Sequence, residues 1–308
     1  VVKYINHGLS KYVENRWIMK NYVIVTESTA DISQDMVNEL GIKVMPLAFE
    51  LSGKSYMHYP DTRELGIHEF YLQLRKGEKS VTSLINTEAF LEYFESILKE
   101  GNDILYISFS SGLSGTYNSS LLAREELLER YKDSKIVCVD SKAASAGEGL
   151  LVYSAAKKKE EGLDIEELND WLEKNIHKLC HWFTVDDLYH LKRGGRVSAI
   201  SAGIGTALNV KPILHVDDEG HLIPMEKVRG RKKSLQVLLE HMVDTYTPSI
   251  GQTVFIGHGD SIEDAEYLAQ IIREKLTVKE IVITPIGPVI GSHSGPGTIA
   301  LFFFGTGR

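Results

Sequence analysis

The sequence predicts an α/β protein built from two α/β domains. The N-terminal domain has a mainly parallel, Rossmann-like sheet, and the C-terminal domain a mixed sheet with helices. Three observations carry this. Short apolar, β-branched runs alternate with helical patterns through the first half, as in a parallel sheet with crossover helices. After about residue 175 the texture changes, and strand-like runs flank a polar turn. The length of 308 residues suits two domains. The expected division is 1–19 as a leader or tag-like segment, 20–175 and 176–308.

In order, Tyr22–Thr26 reads as a buried strand and Asp31 as the cap of a helix to about Leu40, closed by Gly41. Ile42–Phe49 reads as one strand and 50–66 as a polar loop. Ile67–Arg75 and Thr87–Lys99 carry apolar residues at helical spacing, with Thr82 and Ser83 in a short extended piece between them. Asp103–Phe109 and Lys135–Val139 are the next strands, and Leu113–Arg130 and Ala146–Lys159 the helices that follow each. Asp164–His177 is a further helix. Then come strands Trp182–Val185, Lys211–Val216 and Leu222–Val228, helix Lys232–Thr245, strand Thr253–His258, helix Ile262–Lys275 and strand Glu280–Thr284. Asp217-Asp218-Glu219-Gly220 is the turn of a hairpin. The first eighteen residues have no clear period and read as a leader ahead of Met19.

Composition excludes several classes. With 34 Lys plus Arg against 42 Asp plus Glu, the net charge is −8, so a general nucleic-acid binder is not expected. Two cysteines, Cys138 and Cys180, make neither a disulfide framework nor a CxxC site. They point to a reduced, cytoplasmic setting. The 27 residues Ile281–Gly307 carry no Asp, Glu, Lys or Arg, but they contain six Gly and three Pro. They read as buried strands and turns, not a membrane span. His177 and His181 have helical spacing without an HExxH pattern, and Asp186-Asp187 and Asp217-Asp218 point apart, so no metal site is expected.

Three segments could carry chemistry. In the first half, hydroxyl residues follow the strands: Ser28 and Thr29, Thr82 and Ser83, Ser110 to Thr116, Ser141 and Ser145. Ligands of open parallel sheets bind beyond the strands' carboxyl ends, where helix N-termini offer free N–H groups. Such hydroxyls suit a carboxylate or phosphate oxygen, while the plainer alternative is that each caps the next helix. The second segment is Gly287–Gly297, where His293 lies between Ser292 and Ser294 in a glycine-rich stretch. The third is the basic region 189–233, with nine Lys or Arg and four Asp or Glu, hence +5 within an acidic chain. It is either a solvated face or an anion surface.

Together these motifs resemble the bacterial DegV family of fatty-acid-binding proteins. The resemblance rests on Glu27-Ser28-Thr29-Ala30-Asp31, Val81-Thr82-Ser83, Ile107–Thr116 (ISFSSGLSGT), Asp140-Ser141, Leu191–Val197 (LKRGGRV), Leu208–Leu214 (LNVKPIL) and Gly287–Gly297. It spans about residues 20–308. Glu27 stands where Asp is common, and Leu84-Ile85-Asn86 replaces a Gln-Pro-Ser-type continuation. The resemblance implies a long acyl chain in a pocket between the domains. It implies no cofactor and no chemistry of the protein's own. Members resemble the lipid-carrying subunit of bacterial fatty acid kinase, which presents its fatty acid to a separate ATP-using catalytic subunit for acyl-phosphate formation in phospholipid synthesis. By position, the carboxylate contacts fall on Thr82, Ser83, Ser114, Gly115 and His293, and Arg196 and Arg229 would face the kinase or the phosphoryl group. Transient contact with a membrane surface is compatible with that role.

Physical chemistry agrees. Neutral donors hold a carboxylate without a buried counter-ion. Some sixteen buried methylenes at about 0.8 kcal/mol each give an upper bound of roughly 13 kcal/mol. Phe302-Phe303-Phe304 and the face of Phe90, Phe94 and Leu98 are candidate walls. Two other readings compete. One is a serine hydrolase with Ser114 as nucleophile, His293 as base and Asp31 or Asp140 as orienting acid, although Gly115 directly after Ser114 breaks the nucleophile-elbow spacing. The other is a nucleotide binder, for which Gly203-Ile204-Gly205 lacks the third glycine.

Overall fold

A computed structural model describes residues 21–186, 188–197, 209–247 and 252–308. The proposed leader, Gly203-Ile204-Gly205 and Leu208 of the LNVKPIL motif lie outside these. The described chain runs β1 (Tyr22–Glu27), α1 (Gln34–Leu40), β2 (Lys43–Met45), β3 (Leu47–Leu51), β4 (Lys54–His58), α2 (Ile67–Arg75), β5 (Ser80–Thr82), α3 (Thr87–Lys99), β6 (Asp103–Ser108), α4 (Thr116–Arg130), β7 (Ile136–Asp140), α5 (Ala146–Glu160) and α6 (Ile165–Asn175). It continues with β8 (Leu179–Thr184), α7 (Tyr189–Arg193), β9 (Val210–Val216), β10 (Leu222–Arg229), α8 (Arg231–Thr245), β11 (Thr253–His258), α9 (Ile262–Lys275), β12 (Glu280–Pro285), α10 (Pro288–Ser294) and β13 (Ile299–Phe304).

The first sheet has the order β2-β1-β6-β7 and is parallel throughout. The second has the order β10-β9-β8-β13-β11-β12 and is mixed, with β11 and β12 its parallel pair. This is the α/β architecture of a parallel and a mixed sheet that the sequence predicts. A third, antiparallel sheet β4-β3-β5 is a departure from it. The expected strand 42–49 is two strands in two sheets, because Pro46 has no N–H to continue a ladder. The expected loop 50–66 contains β4, which closes a hairpin with β3. The stretch Ile281–Gly307 is not strands and turns alone, since α10 lies inside it with Pro288 in its first turn.

Local chemistry also differs at two caps. Ser33, not Asp31, accepts the Met36 N–H at the start of α1. Asn86, not Thr87, accepts the Ala89 N–H at the start of α3. Asp31 instead adopts a left-handed conformation with its side chain buried.

Between the two large sheets lies α5. Its first seven residues, Ala146 to Val152, are all buried, the mark of a helical stretch with no solvent face. Leu150, Leu151, Val152 and Ala155 share one apolar core with Ile24, Leu105 and Ile107 of the parallel sheet and with Phe183, Phe255 and Phe302 of the mixed one. A single core therefore bridges both halves. Phe90, Phe94 and Leu98 pack beneath β6 in a separate core.

That bridge includes buried carboxyls. Glu148 on α5 is fully buried, with Thr26 and Thr29 hydroxyls each 2.9 Å from its carboxyl oxygens. Thr26 also lies 2.9 Å from the Ile107 carbonyl. A hydroxyl has one hydrogen, so both contacts are good only when Glu148 carries a proton and donates it to Thr26. Glu27, beside it, accepts from the Tyr106 hydroxyl (2.8 Å) and the Phe109 N–H (2.8 Å). Burial pushes both carboxyls above their ordinary range, and at Glu148 the neighbouring Glu27 charge adds to the effect.

A carboxyl with a raised folded-state pKa stabilises the fold at low pH, where it is protonated in both states. That stabilisation fades as the pH rises through the folded-state value. Glu148→Gln supplies an amide N–H for Thr26 and an oxygen for Thr29. Its melting temperature should therefore gain on the wild type between pH 5 and pH 8, by about 3 °C or more at the upper end. Parallel pH series of thermal melts check this, and a constant difference would refute it.

Candidate functional site

A cavity of about 230 Å³ opens between the two halves. Thr29 and Phe109, just past the carboxyl ends of β1 and β6, line one side. Lateral crossover connections leave such ends free for ligands. The mixed sheet supplies His181 and Phe183 from β8 and Ala300 and Phe302 from β13. Each pair is two residues apart, so both members point to one face. Leu47, Leu113, Leu191, Val216, Leu222, Ile286, Val289 and Ile290 complete an apolar wall. Of the expected aromatic wall only Phe302 lines this cavity. Phe303 joins the core on the far side of the mixed sheet, and Phe304 packs against Trp171.

The polar residues gather from four elements. Thr82 ends β5, with Ser83 exposed beside it. Ser114 and Gly115 precede α4. His293 and Ser294 come from the last turn of α10. Arg196 follows α7. Thr82, Ser83, Ser114, Gly115, His293 and Arg196 all line the cavity. Arg229 does not. It is exposed at the end of β10, while Leu222, which shares the cavity wall with Arg196, begins that strand. At about 3.3 Å per residue the two ends lie roughly 20 Å apart.

His293 explains much of the local electrostatics. Its Nε2 lies 2.8 Å from the Thr82 hydroxyl. Its Nδ1 has no partner and abuts Gly194, where a Cβ would come within 2.3 Å of it. Burial, reinforced by the Arg196 and Arg193 charges, holds the imidazole down at about 4. Neutral at physiological pH, it serves as a hydrogen-bonding group and not as a cation. Arg196 is half-buried and folds its Nη1 back onto the Gly194 carbonyl at 2.5 Å.

The hydrolase arrangement is not assembled. Ser114 Oγ lies 2.9 Å from Thr116 Oγ1 and accepts the Thr116 N–H, while His293 is engaged by Thr82. Asp31 accepts from Ser145 and Gly287, and Asp140 from the Ser111 and Lys142 N–H groups. Neither acid orients His293. Among the described residues no group of three His, Cys, Asp or Glu is placed to hold a metal ion. No described helix is long and apolar enough to cross a membrane. Burial pushes the thiols of both free cysteines up to about 11, which makes them poor nucleophiles.

Sequence reasoning gave no part to the buried His58, considered His181 only for its spacing from His177, and missed the part played by Asp31 and Glu148. His181 lies on β8, among residues that read as core, so helical spacing is no guide to its place. Asp31 stands before a helix, where a cap is the ordinary expectation.

Fold and site thus define an α/β protein with two large sheets, an apolar cavity between them and a mostly neutral polar cluster at its wall. A family model described as "Uncharacterised protein, DegV family" matches residues 21–306, and the chain belongs to that family. A DegV domain-containing protein of Clostridium perfringens is 50% identical over 287 residues, covering 93% of this chain and 98% of the relative. Among solved structures, the chain is similar to a DegV lipid-binding protein from Thermotoga maritima (TM-score 0.81, 30% identity, 94% and 99% of the two chains). It is likewise similar to a fatty-acid-binding DegV family protein from Thermus thermophilus (TM-score 0.80, 30% identity, 92% and 99%). DegV of Bacillus subtilis, a fatty acid binding protein, matches with TM-score 0.80 and 29% identity over 93% and 100% of the chains.

The contact with Gly194 yields a test of the geometry. Gly194→Ala drives a methyl into His293 and should cost about 1–3 kcal/mol of unfolding free energy. Chemical denaturation measures it, and an unchanged midpoint would show that the α7 loop is not seated as described.

Proposed function

We propose that this protein carries a long-chain fatty acid and presents its carboxylate to a separate ATP-dependent fatty acid kinase, without catalysing a reaction itself. One observation carries the reading: a largely apolar cavity at whose wall neutral donors from β5, the α4 entrance and α10 gather. Thr82, Ser83, Ser114, the Gly115 backbone and His293 would hold the carboxylate. The chain would run along Phe183, Ala300 and Phe302 between the sheets. The fatty acids of its structural relatives support the same assignment. A neutral imidazole and hydroxyls stabilise an anion without fixing it to a buried cation, so the carboxylate stays available to accept a phosphoryl group. Arg196, at the cavity wall, is the group suited to the phosphoryl charge. Arg229, on the exposed end of β10, is suited to docking the kinase. We place the division between the domains near residue 175 and the protein in the cytoplasm.

Natively purified protein, extracted with solvent, should yield a fatty acid by mass spectrometry. Protein that is empty and also ignores added oleate and palmitate would overturn the reading. Ser114→Ala and His293→Ala should each weaken oleate binding about 10- to 100-fold, the worth of one hydrogen bond to a charged group. Arg229→Glu should leave oleate affinity unchanged and lower acyl-phosphate formation by the kinase. Arg196→Glu should lower both, since Arg196 lines the cavity. Loss of oleate binding in Arg229→Glu would break this division of roles.

A further inference from the structure

Asp31 is joined to three cavity-forming segments at once. Its Oδ2 accepts from the Ser145 hydroxyl at 2.5 Å, just ahead of α5. Its Oδ1 accepts the Gly287 N–H at 2.9 Å, directly before α10. Its carbonyl accepts the Thr284 hydroxyl at 2.7 Å, in β12. Ser145, Ile286 and Thr29 all line the cavity. The left-handed backbone of Asp31 (φ 49°) turns the side chain back between these segments, a conformation that Asp and Asn tolerate better than most residues. Gly287 fits the same spot tightly, because a Cβ there would meet the His58 ring at 2.1 Å and Asp31 at 2.9 Å. From Gly287, α10 runs about 9 Å to His293.

We propose that Asp31 is a positioning residue for fatty-acid binding, one that sets α10, and with it His293 and Ser294, against the rest of the cavity. The inference rests on the carrier reading above. It goes beyond that reading because Asp31 touches none of the head-group residues and acts through Gly287 and Ser145.

The same geometry makes binding proton-linked. The titratable groups around Asp31 are Glu148 on α5, His58 at the end of β4 and Tyr71 on α2, with the exposed Asp260–Arg75 pair beyond. Asp31 forms no ion pair among the described residues, and burial lifts its carboxyl to about 7. Tyr71 stays protonated and His58, held down at about 4, stays neutral near that pH. An acyl carboxylate at the far end of α10 opposes a second negative charge at Asp31. Ligand affinity should therefore fall as Asp31 ionises.

The test measures oleate affinity from pH 6 to pH 8 in the full chain, as wild type, Asp31→Asn and Asp31→Gly. Glycine keeps the left-handed backbone and removes the side chain, and asparagine keeps the frame without the charge. Wild-type affinity should fall about threefold or more over the range. Asp31→Asn should remain within about threefold of wild type at pH 6 and show a flatter profile. Asp31→Gly should lose tenfold or more at every pH. Glu148 and Glu27 titrate in all three proteins, so the difference between profiles isolates Asp31. A folded Asp31→Gly protein with wild-type affinity would overturn the inference, as would an Asp31→Asn profile as steep as wild type. Should Asp31→Gly fail to fold, the Asn comparison alone decides. Failure of the wild type to bind oleate at any pH would instead count against the carrier reading.

Discussion

The structure depends on a buried polar seam held by hydrogen bonds rather than by counter-ions. Where α5 passes between the two sheets, Glu27, Asp31 and Glu148 are buried together and none makes an ion pair among the described residues. Three ionised carboxylates at such spacing would cost far more than the surrounding core returns. Burial therefore raises all three carboxyls above their ordinary range, and a proton taken up on any of them lowers the cost. Thr26, Thr29, Ser108, Ser145 and Tyr106 then fix the seam by geometry. Apolar packing alone would hold α5 in place. It would not fix the rotation that points the N-terminal end of α5 into the cavity.

The same preference for neutral donors appears at the cavity's polar end. His293 is uncharged, Thr82 and Ser114 are hydroxyls, and the Arg196 cation is drawn back onto a backbone carbonyl. Apolar surface can hold a long chain tightly whatever its length, because that attraction is additive and non-directional. Distinguishing a carboxylate from any other chain end needs convergent donors. The donors at this end come from both halves of the protein, β5 and the α4 entrance on one side and α10 on the other, so their convergence depends on the relative placement of the halves.

Much of this was legible in the sequence. Periodicity marked α2, β11 and α9 at their observed ends, because their apolar faces follow a single period between clear breakers. Hydroxyls after strands, and a histidine among small residues, drew attention to Ser114, Thr82 and His293 before any geometry was known. The misreadings share a physical cause. Pro46 divides one apolar run between two sheets, and nothing within the run tells which ladder each half will join. Phe90 and Phe94 have the same composition as a ligand wall, but only tertiary placement shows that Tyr106 covers them. Asp31 offers a local role as a cap. Its actual partners lie 114 and 256 residues away, a separation that no local pattern records.

That separation has a consequence for how the cavity works. Ser145 and Gly287 belong to the segments leading into α5 and α10, and both helices adjoin the cavity. A tie between them through one side chain is short and stiff. It can also be loosened by a single event, in the way that a weak local contact governs an opening that a large core could not. A carrier must exclude water from its ligand and yet release it, and those demands conflict if one uniform apolar core closes the site. Here the core that joins the halves runs along α5. The polar end takes His293 and Ser294 from α10, seven residues long and held at its start by Asp31. On the carrier reading, retention of an acyl chain and access to its carboxylate would fall to different parts of the fold. The first rests on buried area and the second on a few hydrogen bonds.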